Sequence, residues 1–229
     1  MRKERIVIAT IGSWNIRNAE AFEKRYKNKF DVFIFKKKEA LSYGSLKRIK
    51  PRFVFFPHWS WMIPGEIYKN FDCIVFHMTD LPLGRGGSPL QNLIARGIYK
   101  TRISAIKVSD GIDAGPVYIK RKLDLKGNAL EIFKRASEII FNDMAPYIIK
   151  NDPRPVPQKG KIVKFRRRNP SESDISGLNS LEKIYDHIRM LDAENYPPAF
   201  IETKSLRVEF YNAGISKRNV TANVRIIKR

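Results

Sequence analysis

At 229 residues the chain has room for one sizeable α/β core with a small appendage and is short for two full domains. No apolar run is long enough to cross a bilayer, and Met1-Arg2-Lys3-Glu4-Arg5 leads directly into a short strand-like run unlike a signal peptide, so a soluble cytoplasmic protein with no membrane partner is expected. Cys73 is the single cysteine, which excludes an intrachain disulfide and a cysteine metal cluster, and a formal charge of +21 favours anionic partners without choosing among them.

In chain order, residues 6–9 read as a strand, 19–26 as a helix and 31–35 as a second strand, which makes a βαβ unit. A helical stretch near Leu46 precedes β-prone residues 52–57, and a further β-prone run follows at 72–76. A Gly/Pro-rich loop over 81–89, a helix over 90–96 and β-prone segments at 103–108 and 116–119 come next. One long amphipathic helix is expected over 129–149, stopped by the proline-rich stretch 150–157 because proline lacks the amide donor. The boundary is set there: residues 1–150 form a doubly wound, mostly parallel α/β domain, and 151–229 a linker and small α+β extension. In that extension a helix is expected over 180–191 and strands at 199–202, 206–211 and 220–227. The exposed β-prone end leaves room for a homodimer.

Two loops carry the chemistry. His77 closes a predicted buried strand and opens Leu81-Pro82-Leu83-Gly84-Arg85-Gly86-Gly87, at the kind of strand end that bears catalytic groups in open α/β sheets. Asp110-Gly111-Ile112-Asp113-Ala114-Gly115 is a tight acidic loop whose glycines allow close backbone approach to a ligand. Alone, His77 would read as a core histidine and the acidic loop as a turn.

Together, His77, the Leu-Pro-x-x-Arg-Gly run and Asp113-Ala114-Gly115 resemble the folate-dependent formyltransferase superfamily, which includes methionyl-tRNA, sugar-nucleotide and glycinamide ribonucleotide formyltransferases. The resemblance covers nearly the whole chain, through Arg166-Arg167-Arg168-Asn169-Pro170. It implies transfer of a formyl group from 10-formyltetrahydrofolate, the co-substrate, to a primary amine without a metal, with His77 and Asp113 catalytic. A proton must leave the attacking nitrogen as charge gathers on the formyl oxygen, and a histidine oriented by a carboxylate suits both tasks. The resemblance places the folate against Trp61, Met62 and Ile63 and against Ser109, Asp110, Gly111, Ile112 and Asp113. It assigns Arg85, Gly86 and Gly87 to the acceptor, with loop pinning as the alternative for Arg85. The family asparagine two residues before the histidine falls on Val75, which cannot donate a hydrogen bond. A backbone amide, water, Thr79, His58 or Asn92 is left to fill that role.

The short tail favours a small acceptor, the amine of a nucleotide-linked amino sugar. The basic composition favours tRNA, so action on initiator methionyl-tRNA is the second reading. A catalytically silent nucleotide- or nucleic-acid-binding relative is the third, raised by Val75.

Overall fold

The computed structural model describes residues 3–194 and 196–229, so Met1 and Arg2 of the predicted first domain lie outside the described residues. The fold is α/β. Its elements are β1 (Glu4–Ala9), α1 (Ser13–Tyr26), β2 (Phe30–Phe35), α2 (Tyr43–Ile49), β3 (Phe53–Pro57), α3 (Gly65–Tyr68), β4 (Cys73–His77), β5 (Leu83–Gly86), α4 (Pro89–Ile94), β6 (Lys100–Lys107), β7 (Val117–Asp124), α5 (Ala129–Ile139), α6 (Ala145–Asn151), β8 (Val163–Phe165), α7 (Leu181–Arg189), β9 (Ala199–Glu202), β10 (Leu206–Ile215) and β11 (Val220–Lys228).

Six strands form one sheet in the order β2-β1-β3-β4-β6-β7. The first four are parallel, and β6 runs antiparallel to β4. Ile6, Val7, Ile8 and Ala9 of β1 are all buried, as expected where helices cover both faces of a parallel sheet. Val7, Ala9, Val54, Phe56 and Cys73 meet Leu46 and Ile67 in one core cluster. Each large side chain buried there contributes roughly 1.5–3 kcal/mol. Burial also pushes the Cys73 thiol up to about 12, so it packs as an inert apolar group.

The single long helix expected over 129–149 is interrupted by a π-helical turn at Ile140–Met144. Pro146 explains the break: it has no N–H for the carbonyl four residues earlier, and the ladder reforms only after a widened turn. Two short strands, β5 and β8, lie in segments that the sequence reading left as loops; they pair with each other.

The chain forms two compact units that are not successive stretches of sequence. The first comprises Met1–Arg85, Arg102–Leu123 and Lys134–Val163, and holds most of the large sheet. The second comprises Gly86–Thr101, Asp124–Phe133 and Lys164–Arg229. Its three-stranded antiparallel sheet has the order β11-β10-β9. Ser180 caps α7 by accepting from the Lys183 amide. The buried Arg189 guanidinium pairs with Asp186 at 2.7 Å and donates to the carbonyls of Leu125 and Gly127, and Asp186 accepts from the Tyr99 hydroxyl. Every charge in that buried cluster is met, the condition under which such a pair is tolerated. No helix among the described residues is long and apolar enough to cross a membrane.

Candidate active site

His77 ends β4 and is 8% exposed. Its Nε2 lies 2.7 Å from the Gly84 carbonyl oxygen, and its Nδ1 lies 3.4 Å from Asp113 Oδ2. A carbonyl only accepts, so Nε2 carries a hydrogen and Nδ1 is the nitrogen turned toward the carboxylate. Thr79 Oγ1 is 3.5 Å from the same carbonyl oxygen. The ring is therefore clamped between a backbone acceptor on one side and an acid on the other.

Asp113 sits at φ 49°, in the left-handed region that Asp enters more readily than most residues. Its loop leaves no room at Gly115, where a Cβ would stand 1.7 Å from the Lys107 carbonyl oxygen. Gln158 fixes the loop from below the sequence horizon. Its Nε2 donates at 2.8 Å to both the Asp113 and Gly115 carbonyls. Its Oε1 accepts from Arg85 Nε at 3.0 Å and Nη2 at 2.8 Å. The contacts close a circuit: His77 to Gly84, along the chain to Arg85, across to Gln158, to the Asp113 loop and back to His77.

Gln158 was not singled out by the sequence, because it follows the proline-rich stretch read as a linker. That stretch is held against β7 instead: the Val117 and Val156 backbones exchange hydrogen bonds at 2.7 and 2.9 Å. Prolines at 153, 155 and 157 preset an extended chain that carries Gln158 to the site. The only legible signal was a polar residue directly after such a run.

The remaining sequence candidates divide. Arg85 is engaged in the loop clamp. Gly86 and Gly87 serve close packing: a Cβ would stand 2.2 Å from the Phe165 carbonyl oxygen at Gly86 and 2.7 Å from Arg167 Cα at Gly87. Ile63 packs with Val108 against the core cluster, whereas Trp61 and Met62, 38% and 76% exposed, border a separate cavity of about 270 Å³. Leu41, Trp59 and Pro64 complete its apolar wall, and Lys38 and Glu39 add charge. Ser109, Gly111, Ile112 and Asp113 do not line that cavity; Asp110 accepts from the Tyr68 hydroxyl at 2.7 Å. Thus the two predicted halves of the folate wall do not share this cavity.

Val75 lies on the His77 face of β4, one pleat earlier, and packs with Leu81, Ile106 and Val117. Of the groups named to replace the family asparagine, Asn92 is committed elsewhere: its amide donates to the carbonyls of Gly87, Ser88 and Arg166 and its oxygen accepts from Arg96. His58, at φ 53° with its ring edge-on to Trp14 at 5.4 Å, is pushed down to about 4 by lost hydration and stays neutral near neutral pH. No group of three or more His, Cys, Asp or Glu among the described residues is placed to hold a metal ion.

Comparison with known proteins bears on the family. A family model described as the methionyl-tRNA formyltransferase C-terminal domain matches residues 170–227. A solved structure of a methionyl-tRNA formyltransferase from Clostridium thermocellum is 54% identical, with a TM-score of 0.97 over 99% of this chain and 100% of that one. A methionyl-tRNA formyltransferase from Mesoplasma florum is 26% identical over 79% of this chain and 60% of its own length. The chain spans about half to three-fifths of the length of the curated relatives it matches. A sugar N-formyltransferase from a Shewanella species shares the fold alone, at 13% identity and a TM-score of 0.68 over 88% of this chain and 93% of that one. On the identity and full mutual coverage of the Clostridium structure, the chain belongs to the methionyl-tRNA formyltransferase family.

Proposed function

We propose that the protein transfers the formyl group of 10-formyltetrahydrofolate to the amine of methionyl-tRNA in the cytoplasm. The observation that carries this reading is the clamped His77–Asp113 pair at the carboxyl end of β4. The acceptor is supported by the Clostridium and Mesoplasma relatives, which are named for it, and by the +21 charge, which suits a phosphate backbone. An amino-sugar nucleotide, favoured by the sequence reading, retains support from fold alone.

The co-substrate supplies an activated formyl carbon. The residues supply proton management and charge. As the amine attacks the formyl carbon, Asp113 Oδ2 accepts the proton it sheds, with His77 Nδ1 3.4 Å away to relay it, and that proton passes to the tetrahydrofolate nitrogen as its bond to the formyl carbon breaks. The Gly84 carbonyl keeps the Nε2 hydrogen in place, so Nδ1 is the ring nitrogen that takes and returns the moving proton beside Asp113. Beside this pair, the backbone of residues 109–113 is the part of the chain that would hold a pterin, as the resemblance to the formyltransferases implies.

The test is release of tetrahydrofolate on mixing the chain and 10-formyltetrahydrofolate with methionyl-tRNA or with a panel of amino-sugar nucleotides. Turnover with methionyl-tRNA is expected. Turnover only with a sugar nucleotide would move the acceptor to the other reading, and folate binding without any turnover would make Val75 the mark of a silent site.

A further inference from the structure

The hairpin of β10 and β11 contributes no side chain to the His77–Asp113 circuit. Its register sets Val208 opposite Ile226, Phe210 opposite Val224 and Ile215 opposite Val220, so these six side chains share one face. From Val220 to Ile226, β11 alternates apolar and polar residues, the pattern of a strand buried on one side. Here that side is open. Val224 is 55% exposed, Ile226 63% and Ile215 41%.

Cover fades across the three strands. In the row Ala199, Phe210, Val224, the first residue is fully buried, the second half-buried and the third mostly exposed. The opposite face of the hairpin is satisfied within the chain: Arg207 pairs with Glu202 at 2.7 Å and Glu209 at 3.2 Å, and the Tyr211 hydroxyl donates to Glu209 at 2.7 Å. Only the apolar face lacks a partner, and exposed apolar patches of a few hundred Å² mark interaction surfaces.

The chemistry of the face selects what covers it. Its one charged residue is Lys228, at the end opposite Leu206, so on a chain of net charge +21 this face offers almost nothing to a phosphate backbone or an acidic peptide. A flat face of β-branched residues packs best on another flat sheet face, about 10 Å away with strands within about 30° of alignment. A second copy brings that face, and a twofold axis makes it complementary to itself. Charge also fixes the direction: antiparallel hairpins hold the two Lys228 ammonium groups at opposite ends, whereas parallel ones would bring them together. At about 3.4 Å per residue and 4.8 Å per strand, the face measures roughly 30 Å by 14 Å, or about 400 Å² per copy. That is about half of the roughly 800 Å² per partner in a standard interface, which sets a weak dimer with a Kd on the order of micromolar.

We propose that the protein forms a twofold homodimer in which the apolar faces of the two β10–β11 hairpins pack antiparallel, with Val224 of each copy near the axis. The dimer is independent of the acceptor, since it uses no residue of the circuit.

The test is sedimentation velocity of the full chain across the micromolar range, after nuclease treatment and at low and high salt. A concentration-dependent dimer is expected that persists at high salt, because apolar burial drives it and salt screens the repulsion between two basic copies. Val224→Glu should raise the dissociation constant at least about 100-fold by setting like charges in an apolar seam, with the circular dichroism spectrum unchanged. Val224→Cys should form an interchain disulfide under mild oxidation, and Asn223→Cys, exposed on the opposite face, should not. Cys73 is buried and stays silent in both. A monomer at every concentration, a dimer dissolved by salt or nuclease, or a dimer unmoved by Val224→Glu overturns the proposal. So does crosslinking through Asn223→Cys equal to that through Val224→Cys, which would put the contact at the edge of β11 instead of its face.

Discussion

The His77 circuit and the Trp59 cavity sit on the same edge of one sheet and are built in opposite ways. In the circuit each key polar group is spent on another: the imidazole on Gly84 and Asp113, Gln158 on two carbonyls and on Arg85. Around the cavity the buried Trp59 indole nitrogen has no partner among the described residues, beside the exposed Trp61 ring. The difference teaches where precision is needed. Reacting groups must be held before substrate arrives, since reorganisation at the moment of reaction costs rate.

The sharpest way to break the comparison is at the circuit's centre. His77→Ala should lower kcat by about 10²–10⁴-fold, the range for loss of a general acid–base, while binding of the folate co-substrate persists. Steady-state kinetics with parallel calorimetry checks both halves. Equal loss of both would mean that the ring holds the co-substrate rather than moving the proton.

Acid separates them by stability instead. His58 is pushed down to about 4 in the folded chain from 6.5, so between those values the unfolded chain binds the additional proton. Stability contributed by neutral, half-buried His58 is full above pH 6.5 and drains as pH falls, by about 3 kcal/mol once pH 4 is reached. Urea unfolding at pH 7 and pH 4.5 measures the loss. His58→Asn, which tolerates the left-handed backbone there, should flatten it.

Gln158→Ala should leave Arg85 and two carbonyls without their partner, costing about 1–3 kcal/mol of stability and on the order of tenfold in kcat. Gln158→Glu sharpens the point. It keeps an acceptor for Arg85 but loses both donors, so the stability loss should be smaller while the rate loss remains. A structural role alone would move the two together. The smallest effect is expected at Val75→Asn: a donor returned to the His77 face should raise kcat by at most about tenfold, at a cost of about 1–3 kcal/mol for a polar group among Leu81, Ile106 and Val117. Kinetics and melting on the same preparation check it.

The course of the chain shows what a sequence yields and what it withholds. Local signals placed β1 to β4, because runs such as Phe53-Val54-Phe55-Phe56 are apolar on both faces and bounded by breakers. They also placed β9, β10 and β11. The π turn at Ile140–Met144 needed Pro146 to be weighed against the helical period around it. Strands β5 and β8 carry no period long enough to read, since each is defined by its partner. At the site, His77 and Asp113 were legible through their motif and do meet. Gln158 was not, because a clamp residue is defined by what it touches across the fold and leaves no local pattern. Trp61 and Met62 were read together with Ile63 as one wall, yet the backbone turns Ile63 into the core and leaves its two predecessors at a different cavity.

Single-turnover transfer from 10-formyltetrahydrofolate to methionyl-tRNA, comparing the wild type with Asp113→Asn, tests the central claim most directly. Asparagine keeps the shape of the side chain but cannot take the amine proton. Transfer by the wild type is expected, with a rate lower by about 10²–10⁴-fold in the variant and folate affinity retained. Transfer at an undiminished rate by Asp113→Asn, or none by the wild type, would contradict it.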